Sequence, residues 1–123
     1  MADARPKVAF IDDSETVRLV LADILERAGC EHFECTCWAD LEAAVQQHDL
    51  DLVLLDVQMP KVSGAPMALV LKKTRPNLTV VYHSDQDERF LRELTEKTGA
   101  DGYIRKSVDP EETLGAIEQY LSR

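Results

Sequence analysis

The sequence predicts an α/β domain built on a doubly wound, five-stranded parallel sheet with helices on both faces. Three observations predict it: short apolar runs recur along the 123 residues, most of the runs stop at acidic or polar residues, and a segment of helical periodicity follows each run. Parallel strands need crossover helices, and each helix buries its apolar stripe against the sheet. Strand and helix alternating five times therefore favour this class.

Clear stop and start signals define the first strand and helix. Lys7 to Asp12 contains a continuous apolar run that ends at acids, which is typical of a strand buried on both faces. Ser14 is placed as the N-cap of the next helix, Glu15 lies in its first turn and Gly29 comes just past its end. The helix has apolar residues at helical spacing: Val17, Val20, Leu21, Ile24, Leu25 and Ala28.

The second strand is predicted over Phe33 to Cys37, and the second helix over Asp40 to His48. That helix carries Leu41, Ala44 and Val45 on one face.

The third strand, Leu52 to Leu55, is apolar throughout and ends at Asp56. Pro60 through Gly64 then break the chain before a helix from Ala65 to about Lys73, whose Pro66 fits only in its first turn.

The last two units follow the same order. Leu78 to His83 is predicted as the fourth strand, followed by a short helix that stops near Gly99, and Tyr103 to Arg105 as the fifth strand. The final helix opens with a cap at Asp109, a proline at its first position and a glutamate, Glu112, at the capping-box position. Its buried stripe is predicted as Leu114, Ile117 and Leu121.

Composition limits the functions that this chain can perform. Its mass of 13.8 kDa predicts one domain over residues 1–123, with no output domain attached. The net charge of −9, with scattered basic residues, argues against direct nucleic-acid binding. No signal-peptide core or run of about 20 apolar residues is present, which predicts a cytoplasmic protein without a membrane partner. Three cysteines, Cys30, Cys35 and Cys37, are interpreted as reduced and buried.

Charged and polar residues stand at four of the predicted strand ends. Asp12 and Asp13 end the first strand, Asp56 the third, Ser84 the fourth and Lys106 the fifth. Parallel topology brings these ends to one edge, where three carboxylates about 4 Å apart repel by roughly 4 kcal/mol per pair. Such a cluster favours a hard cation, Mg²⁺ or Mn²⁺. A cation, a lysine and a hydroxyl around Asp56 predict phosphoryl transfer onto that carboxylate.

In these positions the chain resembles the response-regulator receiver domains of two-component signalling, of which the chemotaxis regulators are examples. The matching motifs span essentially the whole chain: the acidic pair, an aspartate followed by Met-Pro, a glycine before the third helix, a hydroxyl after the fourth strand, and an aromatic three residues before a lysine. Here they are Asp12-Asp13, Asp56 with Met59-Pro60, Gly64, Ser84, and Tyr103 with Lys106.

The resemblance implies the flavodoxin-like strand order 2-1-3-4-5 and specific roles for these residues. Asp13 and Asp56 would ligate Mg²⁺ or Mn²⁺ directly, Asp12 through water, and Gln58 by its carbonyl. Asp56 would accept the phosphoryl group. Ser84 and Lys106 would contact its oxygens, and Tyr103 would repack when Ser84 moves.

The same resemblance implies the partners. A histidine kinase or a histidine phosphotransferase would donate the phosphoryl group, and a downstream protein would bind the surface of helix four, strand five and helix five. The chain would act as a switch and not as an enzyme, because it would catalyse only its own phosphorylation and dephosphorylation.

Four residues are candidate modulators: Gln58, Asp85, Gln86 and Ser107. Of these, Asp85 and Ser107 depart from the family pattern. Asp85 replaces a small residue and is expected to slow phosphorylation by repelling an anionic donor. Ser107 replaces a proline, so the Lys106–Ser107 peptide is expected to be trans and to orient Lys106 less rigidly. Ser63 replaces a frequent aspartate and is expected to cap the third helix.

Three other functions share this architecture. A receiver-fold docking module that no longer uses phosphate is favoured by the departures at Asp85 and Ser107. An aspartate-nucleophile phosphatase would show Asp-x-Asp at the first strand, but Ser14 follows Asp13. A flavin carrier is disfavoured because the acids after the first strand would repel a flavin phosphate.

Overall fold

A computed structural model describes residues 5–59 and 63–122 of the chain. It contains one five-stranded parallel sheet in the order β2-β1-β3-β4-β5, which confirms the predicted doubly wound class and strand order. In chain order the elements are β1 (Lys7–Ile11), α1 (Glu15–Arg27), β2 (Glu31–Cys35), α2 (Trp38–Gln47), β3 (Leu52–Leu55), α3 (Gly64–Thr74), β4 (Thr79–Ser84), α4 (Glu88–Thr98), β5 (Gly102–Arg105) and α5 (Pro110–Leu121).

Two apolar clusters lie on opposite faces of the sheet, as the predicted helix layers require. Strand residues of one parity pack with α2, α3 and α4, for example Val53 and Tyr82. Strand residues of the other parity pack with α1 and α5, for example Phe10 and Val81. Every residue of β3 is buried, because this strand lies at the centre of the sheet. None of the helices within the described ranges is long and apolar enough to cross a bilayer.

The second strand lies two residues earlier than predicted, and the second helix begins two residues and ends one residue earlier. β2 occupies Glu31–Cys35 because it pairs with β1 from Lys7 to Ile11, and its first residues are polar. It is an edge strand, so it lacks the continuous apolar run that marks a central strand. As a result Cys37 lies just before α2 and is exposed, so its predicted burial was wrong, whereas Cys30 and Cys35 are buried and free.

The predicted caps of α3 and α5 are formed only in part. Ser63 is the N-cap residue of α3, but its side chain makes no capping hydrogen bond to a described residue. Asp109 caps α5 as predicted, by accepting a hydrogen bond from the Glu111 N–H at 3.0 Å. Glu112 does not complete a capping box, because its carboxylate accepts the Ser107 hydroxyl instead.

Candidate functional site

The predicted carboxylates meet at the carboxyl edge of the sheet. Asp12 follows β1, Asp56 follows β3, and one carboxylate oxygen from each of these residues and from Asp13 lies within 4.8 Å of the others. Asp12 is 1% exposed and Asp56 is 4% exposed, whereas Asp13 is open to solvent. Two acids are therefore removed from water and the third faces it.

The parallel pairing of β1 with β3 explains why these acids are neighbours. Ile11 lies opposite Leu55 in the register, and the Asp56 N–H donates to the Ile11 carbonyl at 3.1 Å. Asp12 and Asp56 therefore follow paired residues and lie at the same level of the sheet.

Among the residues that the structure describes, Lys106 forms the ion pairs with the two buried acids. Its ammonium Nζ lies 2.9 Å from Asp12 Oδ2 and 3.6 Å from Asp56 Oδ1. Its backbone N–H donates to the Ser84 carbonyl at 2.8 Å, which joins the end of β5 to the end of β4. Burial acts to lower the pKa of Lys106, but the contact with Asp12 and the charges of Asp56 and Asp85 outweigh it and raise the pKa. The ammonium therefore stays charged over the physiological pH range.

Asp56 is held in an environment that disfavours its charge. Burial and, next, repulsion from Asp12 raise the pKa of Asp56 to about 6, although Lys106 and the Gln58 N–H act in the opposite direction. The Gln58 N–H donates to Asp56 Oδ1 at 3.3 Å, and the Gln58 side chain is exposed. A carboxylate with a raised pKa binds protons or metal ions more readily than one in water.

Arg18 is a supporting residue that the sequence reasoning missed. Its Nη1 donates to the Asp12 carbonyl at 2.9 Å, and its Nε donates to Glu34 Oε2 on β2 at 2.7 Å. The Arg18 side chain is 14% exposed, and its hydrogen bond to the Asp12 carbonyl fixes the turn after β1. Asp12 Oδ1 also accepts the Ser14 N–H at 2.9 Å. The only signal in the sequence was an arginine one turn into α1, which is also compatible with an ordinary surface role.

Gly64 allows α3 to begin close to the phosphoacceptor candidate. A Cβ at this position would lie 2.4 Å from the Asp56 carbonyl oxygen, so a larger residue would force the helix away. The Gly64 N–H donates to the Val57 carbonyl at 3.2 Å. Met59 is described and packs at the core margin, whereas Pro60 of the Met-Pro motif lies outside the described residues.

The remaining predicted residues lie around the ends of β4 and β5. Ser84 is 1% exposed, and its Oγ accepts the Gln86 N–H at 3.2 Å. The Gln86 carbonyl accepts Arg105 Nε at 3.1 Å, and Asp85 is exposed. These contacts fold the loop after β4 over the same edge as the acids.

Tyr103 lies opposite Tyr82 in the sheet register, half-buried beside the cluster that contains α4. Its hydroxyl donates to Glu88 Oε1 at the start of α4, at 3.0 Å. The aromatic ring therefore links β5 to α4, the elements for which the resemblance implies a switching surface.

The Lys106–Ser107 peptide bond is trans, as expected from the serine. Lys106 nevertheless reaches both Asp12 and Asp56.

His83 precedes Ser84 on β4 and lies on the side of the sheet that α1 and α5 cover, next to Lys106. It is 6% exposed and lines a cavity of about 120 Å³ together with Val17 of α1, Thr113 of α5 and Lys106. Its Nδ1 is enclosed and has no hydrogen-bond partner among the described residues. Burial and, next, the charge of Lys106 lower the pKa of His83 to about 4.

We expect this histidine to make folding depend on pH in the metal-free protein. Its pKa is lowered by folding, so the unfolded chain takes up the proton first as pH falls below about 6.5, and stability is lost towards pH 4. Urea unfolding in EDTA should show wild type losing about 2 to 3 kcal/mol relative to His83→Leu between pH 7 and 4.5. His32→Gln, at a more exposed histidine, serves as the control and should track wild type. Parallel curves for wild type and His83→Leu would contradict the assignment.

The donor set fits a hard divalent cation. Three carboxylates converge within 4.8 Å, and oxygen ligands of this kind suit Mg²⁺ or Mn²⁺. Asp12 Oδ2 is buried and, although it is 2.9 Å from the Lys106 ammonium, it lacks hydrogen-bond geometry to any described residue. The negative charge of the cluster thus exceeds the charge that Lys106 provides.

Together, the doubly wound sheet, the acidic cluster and the apposed lysine define a signalling receiver domain. Residues 8–118 match the family model of the response regulator receiver domain, and the chain belongs to this family. Receiver domains are signalling switches of two-component systems, are phosphorylated by histidine kinases or phosphotransferases, and generally bind Mg²⁺ at an acidic pocket.

Known proteins resemble the chain over nearly its whole length. The aerobic respiration control protein ArcA of Escherichia coli (strain K12) is 28% identical over 118 residues, which cover 96% of this chain and 49% of ArcA. Protein PilG of Pseudomonas aeruginosa is 27% identical over 117 residues, which cover 94% of this chain and 87% of PilG. The chain spans about half the length of several curated relatives that it matches.

A solved structure supports the fold independently. The CheY-like response regulator receiver domain protein of Methanospirillum hungatei JF-1 has a TM-score of 0.86 at 23% identity, over 97% of this chain and 95% of that one.

Proposed function

We propose that the chain is a phospho-accepting switch of a two-component or phosphorelay system, with Asp56 as the acceptor and Mg²⁺ or Mn²⁺ as the cofactor. One observation carries the proposal: the Asp56 carboxylate lies 3.6 Å from the Lys106 ammonium and within 4.8 Å of the oxygens of Asp12 and Asp13. A nucleophile, a fixed cation and a metal-binding pair are the components that phosphoryl transfer needs.

The chemistry at Asp56 is a displacement at phosphorus. A carboxylate oxygen of Asp56 forms the new P–O bond, and the bond from phosphorus to the donor's imidazole nitrogen or acyl oxygen breaks, leaving its electron pair on the donor. Lys106 stabilises the charge on the transferred oxygens, and Ser84 donates its hydroxyl to one of them. Asp12, Asp13, Asp56 and the Gln58 carbonyl would hold the cation, which neutralises the same oxygens when bound. Hydrolysis of the resulting acyl phosphate resets the switch.

The partners follow from this chemistry. A histidine kinase or histidine phosphotransferase supplies the phosphoryl group in the cytoplasm. The signal leaves through a protein that binds the surface of α4, β5 and α5, where the Tyr103 hydroxyl already contacts Glu88. Gln58 and Ser107 follow Asp56 and Lys106 along the chain, and Asp85 and Gln86 follow Ser84, so these four residues tune the rates.

Divalent metal binding tests the proposal directly. We expect Mg²⁺ at tenfold above its dissociation constant to raise the melting temperature by roughly 3 to 6 °C, because binding favours the native state by mass action. Asp13→Ala should remove most of this rise, whereas Asp23→Ala, at an exposed acid elsewhere on α1, should retain it.

The affinity for Mg²⁺ is also expected to depend on pH. Protons compete with the metal for Asp56, whose pKa is raised to about 6, so Mg²⁺ affinity should weaken as pH falls through 6, by about tenfold for each further unit. Calorimetric titration from pH 8 to 5 measures this. An affinity indifferent to pH, or a melting temperature indifferent to millimolar Mg²⁺, would exclude this metal site and leave the phosphate-independent docking module as the better explanation.

A further inference from the structure

The segment after β5 must turn sharply while Lys106 points at the buried acids. Lys106 is fixed at its backbone by the hydrogen bond from its N–H to the Ser84 carbonyl. The next residues, 107–109, lead directly into α5 and include neither glycine nor proline. Their path therefore depends on side-chain contacts rather than on a residue with restricted or unusual backbone angles.

A single hydroxyl supplies these contacts. Ser107 Oγ donates to Glu112 Oε2 at 2.6 Å and accepts the Asp109 N–H at 3.0 Å. It thereby joins the residue adjacent to Lys106 to the first turn of α5. We call Ser107 and Glu112 the Ser107–Glu112 pair.

Capping of α5 does not explain this arrangement. Asp109 already caps the helix by accepting the Glu111 N–H, and the Glu112 N–H donates to the Asp109 carbonyl at 3.2 Å. Glu112 could have returned to the backbone N–H of Asp109 in a capping box, but Ser107 Oγ takes that N–H instead. The extra bond therefore orders the chain before the helix, on the side of Lys106.

The consequence for Lys106 is a smaller loss of freedom when it binds an anion. A lysine side chain has four rotatable bonds, and the entropy cost of holding its ammonium in one place decreases when its backbone is fixed on both sides. Ser84 holds the backbone at the N–H of Lys106, and the Ser107–Glu112 pair holds the next residue.

We propose that Ser107 and Glu112 are positioning residues that orient Lys106 towards the phosphoryl group on Asp56. The inference rests on the proposed function and adds two residues that act through Lys106 without touching the reacting atoms. It reverses the expectation from the sequence that serine here leaves Lys106 loosely oriented. Ser107→Pro, which removes the hydroxyl, would remove both hydrogen bonds.

The test uses beryllofluoride, a phosphate mimic, titrated calorimetrically into the Mg²⁺-loaded protein. Ser107→Ala, which removes both hydrogen bonds of the hydroxyl, and Glu112→Ala, which removes its acceptor, are each expected to weaken the beryllofluoride affinity about three- to fivefold, the change that follows from losing exposed hydrogen bonds. Ser107→Thr keeps a hydroxyl and should remain near wild type. Glu111→Ala removes the same charge from the same helical turn, but Glu111 pairs with Arg27, so this variant should bind like wild type.

A double-mutant comparison separates positioning from a general structural effect. In the Lys106→Met background, Ser107→Ala is expected to cause no further loss, because the residue through which it acts is gone. An equal loss in both backgrounds, or unchanged affinity in Ser107→Ala, would overturn the inference while leaving the proposed function intact. Wild-type protein that fails to bind beryllofluoride, or that binds it no better than Lys106→Met, would overturn the role of this site and the inference with it.

Discussion

Asp56→Asn is expected to abolish labelling of the protein by radioactive acetyl phosphate. Asp56 follows the central strand β3, and its carboxylate faces Asp12, Asp13 and Lys106 at the edge of the sheet. Asparagine keeps the shape of the side chain but removes the nucleophilic oxygen, so no acyl phosphate can form. Incorporation should fall at least a hundredfold, to background.

Loss of folding would not account for this result. Burial and repulsion from Asp12 raise the pKa of Asp56 to about 6, so its charge destabilises the native state at neutral pH. In EDTA at pH 7, Asp56→Asn should therefore be more stable than wild type by about 2 to 3 kcal/mol in urea unfolding. The control variant Asp49→Asn changes an exposed acid just after α2 and should be labelled by acetyl phosphate like wild type. Acid-labile phosphate retained in Asp56→Asn would show that another residue is the acceptor.

Lys106→Met is expected to destabilise the metal-free protein by about 3 kcal/mol. The ammonium lies 2.9 Å from Asp12 Oδ2, and Asp12 is 1% exposed, so removing the cation takes from a buried carboxylate its ion-pair partner among the described residues. Methionine retains most of the apolar side chain, which limits the loss of packing. Urea unfolding at pH 7 in EDTA measures the effect.

The source of that loss can be checked by a second substitution. Asp12→Asn in the Lys106→Met background should restore most of the stability, because the unpaired charge is then removed. Lys73→Met, at an exposed lysine on α3, should change stability by less than about 0.5 kcal/mol. If Lys106→Met is as stable as wild type in EDTA, water and not Lys106 compensates Asp12.

How well the sequence predicted each element depended on its place in the sheet. The bounds of β3 were predicted from four consecutive apolar residues, because a central strand is buried on both faces. The bounds of β2 were displaced by two residues because an edge strand carries polar residues such as Glu31, and its position is set by pairing with β1. Local caps at Ser14 and Asp109 were predicted for the same reason that β3 was: their signals depend only on neighbouring residues.

Some contacts of the candidate site were likewise predictable from the sequence, and others were not. The sequence by itself determined that Asp12, Asp13, Asp56 and Lys106 converge, because parallel strands bring their carboxyl ends to one edge whatever the packing. Only the tertiary structure decided that the Arg18 guanidinium donates to both the Asp12 carbonyl and the Glu34 carboxylate. It also decided that Glu112 accepts the Ser107 hydroxyl instead of closing a capping box. These contacts depend on which of several available partners each polar side chain meets after folding. That choice is made by three-dimensional packing, since the competing hydrogen bonds differ in free energy by only about 1 kcal/mol.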